Sequence, residues 1–469
     1  MAIHQADLNS LSEHQHQLRL EDYYSQAETI ILARQDPITG LLPASTAITI
    51  HGDYTHAWVR DNVYSILAVW GLALAYRRQD HDAGKAYRLE QSVVKLVRGL
   101  LIAMMKQAAK VERFKQTHDP LDALHAKYDT RTGEPVVGDE AWGHLQLDAT
   151  SLFLLMLAQM TASGLRIVFT PDEVDFVQNL VHYLGRAYHT PDYGIWERGH
   201  KMNEGEAEIN ASSVGMVKAA LEALSGFDLF GAHGGGHSAV IHVPADEIAR
   251  GRSTLEALLP RESNSKEIDA ALLSIIGFPA FAVEDVELVE RTRGDIIHKL
   301  QGRYGCKRFL RDGHQTVLED HSRIHYETGE LRQFEHIESE WPLFFTYLLL
   351  DGVLRGAPDQ ARDYRDHLET LFQERDGQRL LPELYYVPAE NVEWEKLKPH
   401  SQERLPNENV PLVWAQSLYL LGVLLQEGYI HPADIDPLGR RWRVGRHRDS
   451  RIQLVLLAED ATVQAELED

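Results

Sequence analysis

The stretch Ala86–Glu112, AYRLEQSVVKLVRGLLIAMMKQAAKVE, has the pattern of one long amphipathic helix. Leu89, Val93, Leu96, Leu100 and Met104 recur at intervals of three and four, which places them in one stripe on a period of 3.6 residues. Lys95, Arg98 and Lys106 fall off that stripe. The same period returns along the chain. Thr170-Pro171-Asp172-Glu173 opens another helix: Thr170 can cap, Pro171 suits the first helical position, and Glu173 completes a capping box. Val174, Val177, Val181 and Leu184 then form its apolar stripe. Helices are expected near 11–35, 61–79, 86–112, 147–163, 171–189, 211–225, 247–259, 266–277, 286–301, 335–355, 358–374 and 411–427. Only Ala239–Val243 and Ile452–Leu457 have strand character. About twelve helices at even spacing predict an all-α fold, six helical hairpins closed into a ring with inner and outer helices alternating. The ring is expected over residues 1–430, with a short docking segment and an acidic tail over 431–469 that begins basic at Arg440, Arg441, Arg443, Arg446 and Arg448.

The chain has 469 residues, of which 44% are hydrophobic and 25% charged, enough apolar matter for one large core. The formal net charge of -23 argues against nucleic acid and anionic membrane surfaces, and suits a neutral ligand such as a sugar. The one cysteine, Cys306, excludes an intramolecular disulfide. No basic and apolar leader opens the sequence and no apolar run is long enough to span a bilayer, so a cytoplasmic location is expected.

Tryptophans and carboxylates gather just before alternate helices. Trp58-Val59-Arg60-Asp61 precedes the second, Trp142 to Asp148 the fourth, and Tyr193 to Gly199, with Trp196 and Glu197, leads toward the sixth. Arg308 to Gly313, containing Arg311, precedes the tenth, where Glu338-Ser339-Glu340-Trp341 follows. Leu381-Pro382-Glu383 precedes the twelfth, which carries Trp414. An isolated Trp-Glu pair equally describes a core aromatic beside a solvated carboxylate, and Arg-Asp an ordinary helix start. In a helical ring, however, these connections share one end and converge on one pit. Aromatic planes take the apolar faces of a pyranose, while carboxylates and Arg forks take its hydroxyls. Hydrolysis of a glycosidic bond needs two carboxyl groups flanking it, one protonated and one ionised.

The stretch Ala57-Trp58-Val59-Arg60-Asp61-Asn62-Val63-Tyr64-Ser65-Ile66-Leu67-Ala68-Val69-Trp70-Gly71 closely resembles the N-terminal part of phosphorylase kinase regulatory subunits alpha and beta. So do Trp142–Leu165, Asp192–Ala223, Phe230–Gly235 and Lys266–Asp312, and the resemblance extends to about residue 457. In those subunits this region is similar to a family 15 glycoside hydrolase, the glucoamylase family, which implies an (α/α)6 barrel, the six-hairpin glycosidase toroid. By that resemblance Arg60 and Asp61 grip the hydroxyls of the terminal sugar, Trp58 is its aromatic floor, and Trp142 and Asp148 belong to the same subsite. Glu197, directly after Trp196, matches the general acid, and Glu383 the base that activates water. Trp341 and Trp414 match wall residues. Two positions depart from the family pattern: Arg198 stands where a second acidic residue commonly follows the acid, and Leu384 where glutamine often follows the base. A cation beside the acid lowers its pKa, against what proton donation wants.

The resemblance implies one of two functions. The first is an inverting, exo-acting hydrolase of α-glucosidic bonds in malto-oligosaccharides or glycogen-derived dextrins. The second is a non-catalytic, carbohydrate-sensing regulatory protein of glycogen metabolism, with a protein partner there. An oligosaccharide or glycogen-type α-glucan is the expected ligand of both. His233-Gly234-Gly235-Gly236-His237 is expected to be a flexible loop, and no cysteine cluster or His-Glu-x-x-His pattern calls for a metal or other cofactor. Nothing has the motifs of a kinase catalytic core.

Overall fold

The computed structural model describes residues 2–45, 48–49, 52–79, 82–196, 206–231, 239–323 and 325–444. Glu197, Arg198, the loop from His233 to His237 and the strand expected at Ile452–Leu457 lie outside the described residues. In chain order the helices are α1 (Ala2–Gln26), α2 (Val59–Ser65), α3 (Leu67–Gln79), α4 (Ala83–Met105), α5 (Ala108–Thr117), α6 (Leu147–Ala162), α7 (Pro171–Leu184) and α8 (Ala211–Leu224). They continue as α9 (Ala245–Leu258), α10 (Leu273–Ile276), α11 (Val286–Leu300), α12 (Leu343–Arg355), α13 (Pro358–Glu369), α14 (Val392–Leu397) and α15 (Val413–Gln426).

Burial sorts them into two layers. Every residue of α8 is buried, as is every residue of α6 except Ala162. The first ten residues of α12 and the first thirteen of α15 are buried as well. A helix apolar on all sides belongs inside a protein. By contrast α4, α7, α11 and α13 bury one stripe each; in α4 it runs through Leu89, Val93, Leu96 and Leu100. Around the inner layer α2 packs on α6, α6 on α8, α8 on α10, α10 on α12, α12 on α15, and α15 returns to α2 and α3. Outside, α4 covers α3, α7 covers α6, α9 covers α8, α11 covers α10 and α13 covers α12. The fold is a closed (α/α)6 barrel.

Two kinds of contact hold the ring at close approach. At Gly215 of α8 a Cβ would lie 2.7 Å from Ile275 Cδ1 of α10, and at Gly422 of α15 one would lie 2.8 Å from Leu349 Cδ2 of α12. The closing seam between α2 and α15 is aromatic: Tyr64 stacks on Trp414 with centroids 4.6 Å apart and planes 5° from parallel. Beside it the Ala68 amide donates to Ser417 Oγ at 2.9 Å. After α15, the fully buried Arg440 donates to the Ala280 carbonyl and to Glu222 on α8, so this part of the basic segment is docked on the ring.

Several helix limits differ from the expected ones. The expected 86–112 helix is divided between α4 and α5 around Lys106-Gln107. The helix expected at 171–189 stops at Leu184, because Gly185 leaves the helical region and Arg186 is left-handed at φ 66°. The one expected at 266–277 shrinks to a 3-10 turn, Ala270–Leu272, followed by α10; Asp269 is extended and caps that turn. The one expected from 335 begins only at Leu343, since Glu340 and Trp341 are held in extended bridges to Tyr385 and Cys306. Ala239–Val243 forms a single bridge, Val240 to Asp228, and no strand.

Candidate functional site

The connections preceding the inner helices come together at one end of the barrel. Tyr54, Trp58, Arg60, Asp61, Lys127, Trp142, Ile195, Trp196, Arg308, His314, Trp341, Glu383 and Trp414 line one pocket there, with Ala44 and Leu412. Inner helices that start at this pocket direct their N-terminal dipole ends at it, which favours negative charge in their first turns. Asp61 and Asp148 occupy such first turns, in α2 and α6.

Trp58 ends a two-residue strand, Ala57–Trp58, paired antiparallel with Lys127–Tyr128. That pairing sets Lys127 Nζ 4.2 Å from the centre of the Trp58 ring and 4.9 Å from that of Trp142. Arg60 is buried on the next turn, and its Nη1 donates to Asp148 Oδ2 at 2.9 Å. Asp148 does not line the pocket; it stands behind Arg60 and fixes the guanidinium.

On the opposite wall the Trp196 indole nitrogen donates to both carboxylate oxygens of buried Asp269, at 3.1 and 3.0 Å. Burial, only partly offset by Lys266, raises the Asp269 pKa to about 6. Arg308 lies between two indoles, its guanidinium carbon 4.8 Å from the Trp196 ring centre and 5.3 Å from that of Trp341. Asp312 holds it with two bonds, 2.6 and 2.9 Å. Arg311, the arginine expected to bind sugar, is not among the lining residues. Its backbone is left-handed at φ 64° and its side chain pairs with Glu267 at 2.9 Å, so Arg308 takes the place at the pocket. Glu338 and Glu340 also face away from it, bound to Lys307 and to Arg404.

Glu383 is buried at the pocket wall. Three amide nitrogens converge on its Oε2: Asn407 Nδ2 at 2.6 Å, Asn409 Nδ2 at 2.8 Å and Gln315 Nε2 at 3.0 Å. Oε1 is the oxygen left for the pocket. Desolvation raises the Glu383 pKa, while the three amides and Arg308 oppose that rise. A carboxylate so held is a strong acceptor aimed at whatever enters, a hydroxyl or a water. Asn407, Asn409, Gln315, Lys127, His314 and Tyr54 were not singled out in the sequence. None of them carries a periodic or motif signal in the sequence, since they lie in connections between helices. Among the described residues no cluster of His, Cys, Asp and Glu could hold a metal ion, and no helix is long and apolar enough to cross a membrane.

The family pattern of Glycosyl hydrolases family 15 matches residues 17–451. Among curated proteins, the phosphorylase b kinase regulatory subunit alpha, skeletal muscle isoform, of Oryctolagus cuniculus is 57% identical over 456 residues, covering 96% of this chain and 36% of that protein. The probable regulatory subunit alpha of Drosophila melanogaster is 54% identical, with the same two coverages. The chain therefore spans little more than a third of the length of these relatives. Among solved structures, a glycosidase variant in complex with glucose superposes with a TM-score of 0.62 at 18% identity, over 89% of this chain and 99% of that one. A wild-type glycosidase gives a TM-score of 0.57 at 19% identity, over the same shares. At such identity the solved structures speak for the fold, while the family match and the curated relatives speak for descent: the chain belongs to the glycosyl hydrolases family 15.

Proposed function

We propose that this chain is a glucan-sensing regulatory domain of glycogen metabolism, whose pit binds the end of an α-glucan. The observation that carries the reading is the pocket itself. Trp58, Trp142, Trp196, Trp341 and Trp414 supply flat apolar walls, and Arg60, Asp61, Arg308 and Glu383 supply the polar groups between them. That mixture suits the two faces and the rim of a pyranose. The regulatory half of the reading is supported by relatives named as regulatory subunits of phosphorylase b kinase, at 50–57% identity. By the same kinship the chain works with a protein partner in glycogen metabolism, in the cytosol. Arg60, Asp61 and Arg308 would grip the hydroxyls, Trp58 would floor the sugar, and Asp148 and Asp312 would keep the two arginines in place.

A second reading, an inverting α-glucosidase, is favoured by Glu383. Its carboxylate is held as a general base would be, and Glu197 would serve as the acid, with Arg198 beside it as the feature that weighs against turnover. Calorimetry with maltotriose, run alongside a glucose-release assay on maltose, maltotriose, isomaltose, trehalose and glycogen over pH 4 to 8, separates the readings. Binding without release supports the sensor. Release of β-glucose replaces it with the hydrolase, and absence of binding removes both.

A further inference from the structure

Behind the wall formed by Trp196 stands a carboxylate that an entering ligand does not touch. Asp269 is fully buried and does not line the pocket. Its Oδ1 accepts from the Ala271 amide at 2.8 Å as well as from the Trp196 indole, and its Oδ2 accepts from the indole again. The backbone of the same residue is tied to the segment that carries Arg308. Asp269 bridges Phe309, and the Ala270 amide donates to the Arg308 carbonyl at 2.8 Å. The Arg308 guanidinium in turn lies over the Trp196 ring. Asp269 thus holds one member of this stacked pair by its side chain and the other through its main chain.

The indole needs such an anchor. Trp196 meets Trp341 in a tilted contact at 5.7 Å and Phe344 edge-on at 6.0 Å, packing that limits where the ring sits more than how it is turned. The outer torsion of a tryptophan is broad, and a bond from Nε1 to an ionised acceptor fixes it. The bond also decides what the wall can offer. With Nε1 shared between two carboxylate oxygens, Trp196 has no hydrogen bond left for a ligand, and it meets a sugar with apolar surface alone.

We propose that Asp269 is a positioning residue of the pit, which turns Trp196 into a fixed apolar wall for the pyranose at the end of an α-glucan and keeps it in register with Arg308. The proposal deepens the sensing reading and rests on it. Asp148 and Asp312 hold the arginines assigned to the hydroxyls; Asp269 holds the surface assigned to the ring. Fixing that surface before the sugar arrives spares the ordering that binding would otherwise require.

Maltotriose titration of the whole chain, with spectra of its isotope-labelled tryptophan indoles, tests this. Asp269→Asn keeps an oxygen for the Ala271 amide, so the turn before α10 stays capped, but it sets an amide NH2 against the indole N–H. Affinity should fall about tenfold. Asp269→Ser, which also caps but is too short for the indole, should do the same and serves if the asparagine variant does not fold. Trp196→Phe removes the donor and keeps an aromatic wall; adding Asp269→Asn to it should cost no more than about twofold further. The indole resonance missing from Trp196→Phe identifies Trp196, and in Asp269→Asn that resonance should move upfield as its carboxylate partner is lost. Wild-type affinity in the Asp269 variants overturns the proposal, as does an unmoved Trp196 resonance. A tenfold loss that persists in the Trp196→Phe background also overturns it, because Asp269 would then act through the fold and not through the indole. A wild type that binds no maltotriose overturns the sugar reading itself, and this proposal with it.

Discussion

Arg60 and Asp148 form a buried ion pair at 2.9 Å that ties the first turn of α2 to the first turn of α6. Both side chains are about 95% buried, so neither charge can fall back on water if the other is removed. Asp148→Ala is therefore expected to destabilise the fold by about 3–5 kcal/mol. The double variant Arg60→Met, Asp148→Leu should regain most of that stability, because it removes both charges. It should not regain sugar binding if, as proposed, Arg60 grips the hydroxyls. Urea unfolding and maltotriose titration of the two proteins check this. A double variant as unstable as the single one would show that the pair contributes no more than packing.

Glu383→Gln should keep the fold and sugar binding while removing the ionisable group. If the pit hydrolyses glucosidic bonds, turnover should fall by roughly 10²–10⁴. Asn409→Ala deletes one of the donors that oppose the burial-driven rise of the Glu383 pKa. The carboxyl should then ionise at higher pH than in the wild type. The acid limb of any pH–rate profile, or of the pH dependence of binding, should move upward. A downward or absent shift would mean that the amide does not act on the ionised carboxylate.

Asp192 gives the fold a pH dependence of its own. Its oxygens accept from Asn210, Ser213 and the Leu147 amide, yet desolvation outweighs these bonds and raises its pKa from 3.8 to about 6. The stabilisation tied to its protonated form is complete below about pH 4. It is lost as pH rises through 6, by on the order of 3 kcal/mol. Asp192→Asn should flatten that part of the stability curve. The difference in unfolding midpoint between variant and wild type, followed from pH 4.5 to 7.5, should change in favour of the variant as pH rises. A constant difference would refute the assignment.

Gly215→Ala should cost about 1–3 kcal/mol, since its Cβ would press on Ile275 from 2.7 Å across the α8–α10 contact. Gly294→Ala on the outer helix α11, where a Cβ would meet nothing within 4 Å, should be neutral or stabilising. Thermal unfolding of the pair checks both; equal effects would mean that the inner ring yields more than its packing implies.

The barrel was legible because its outer helices have to be amphipathic and its inner ones apolar throughout, and both patterns are properties of the local sequence. Most tryptophans of the pit were legible for a related reason: Trp58, Trp142, Trp341 and Trp414 stand just before or at the start of an inner helix, while Trp196 lies 15 positions ahead of α8. Arg308 and Arg311 mark the limit. They lie three residues apart in one motif, and only the left-handed turn at Arg311 decides which of them faces the pocket. Lys127 was out of reach, because it comes to Trp58 through a strand pairing across 69 positions that no periodicity announces. The asparagines on Glu383 and the carboxylate under Trp196 were hidden likewise, as ordinary polar residues in irregular loops.

The seam between α2 and α15 has a consequence for how the chain comes into being. The Ala68 amide must wait for Ser417, 349 positions later, and Tyr64 for Trp414. At synthesis rates of about 5–20 residues per second, the first inner helix is made on the order of 20–70 s before the last one can cover it. During that interval the apolar sides of α2 and α3 have only part of their neighbours, and the barrel is an open arc. Contacts so distant in sequence slow the final step further. The nascent protein is thus most exposed to aggregation and to chaperones just before α15 emerges, and a chain cut before Val413 would remain in that open condition.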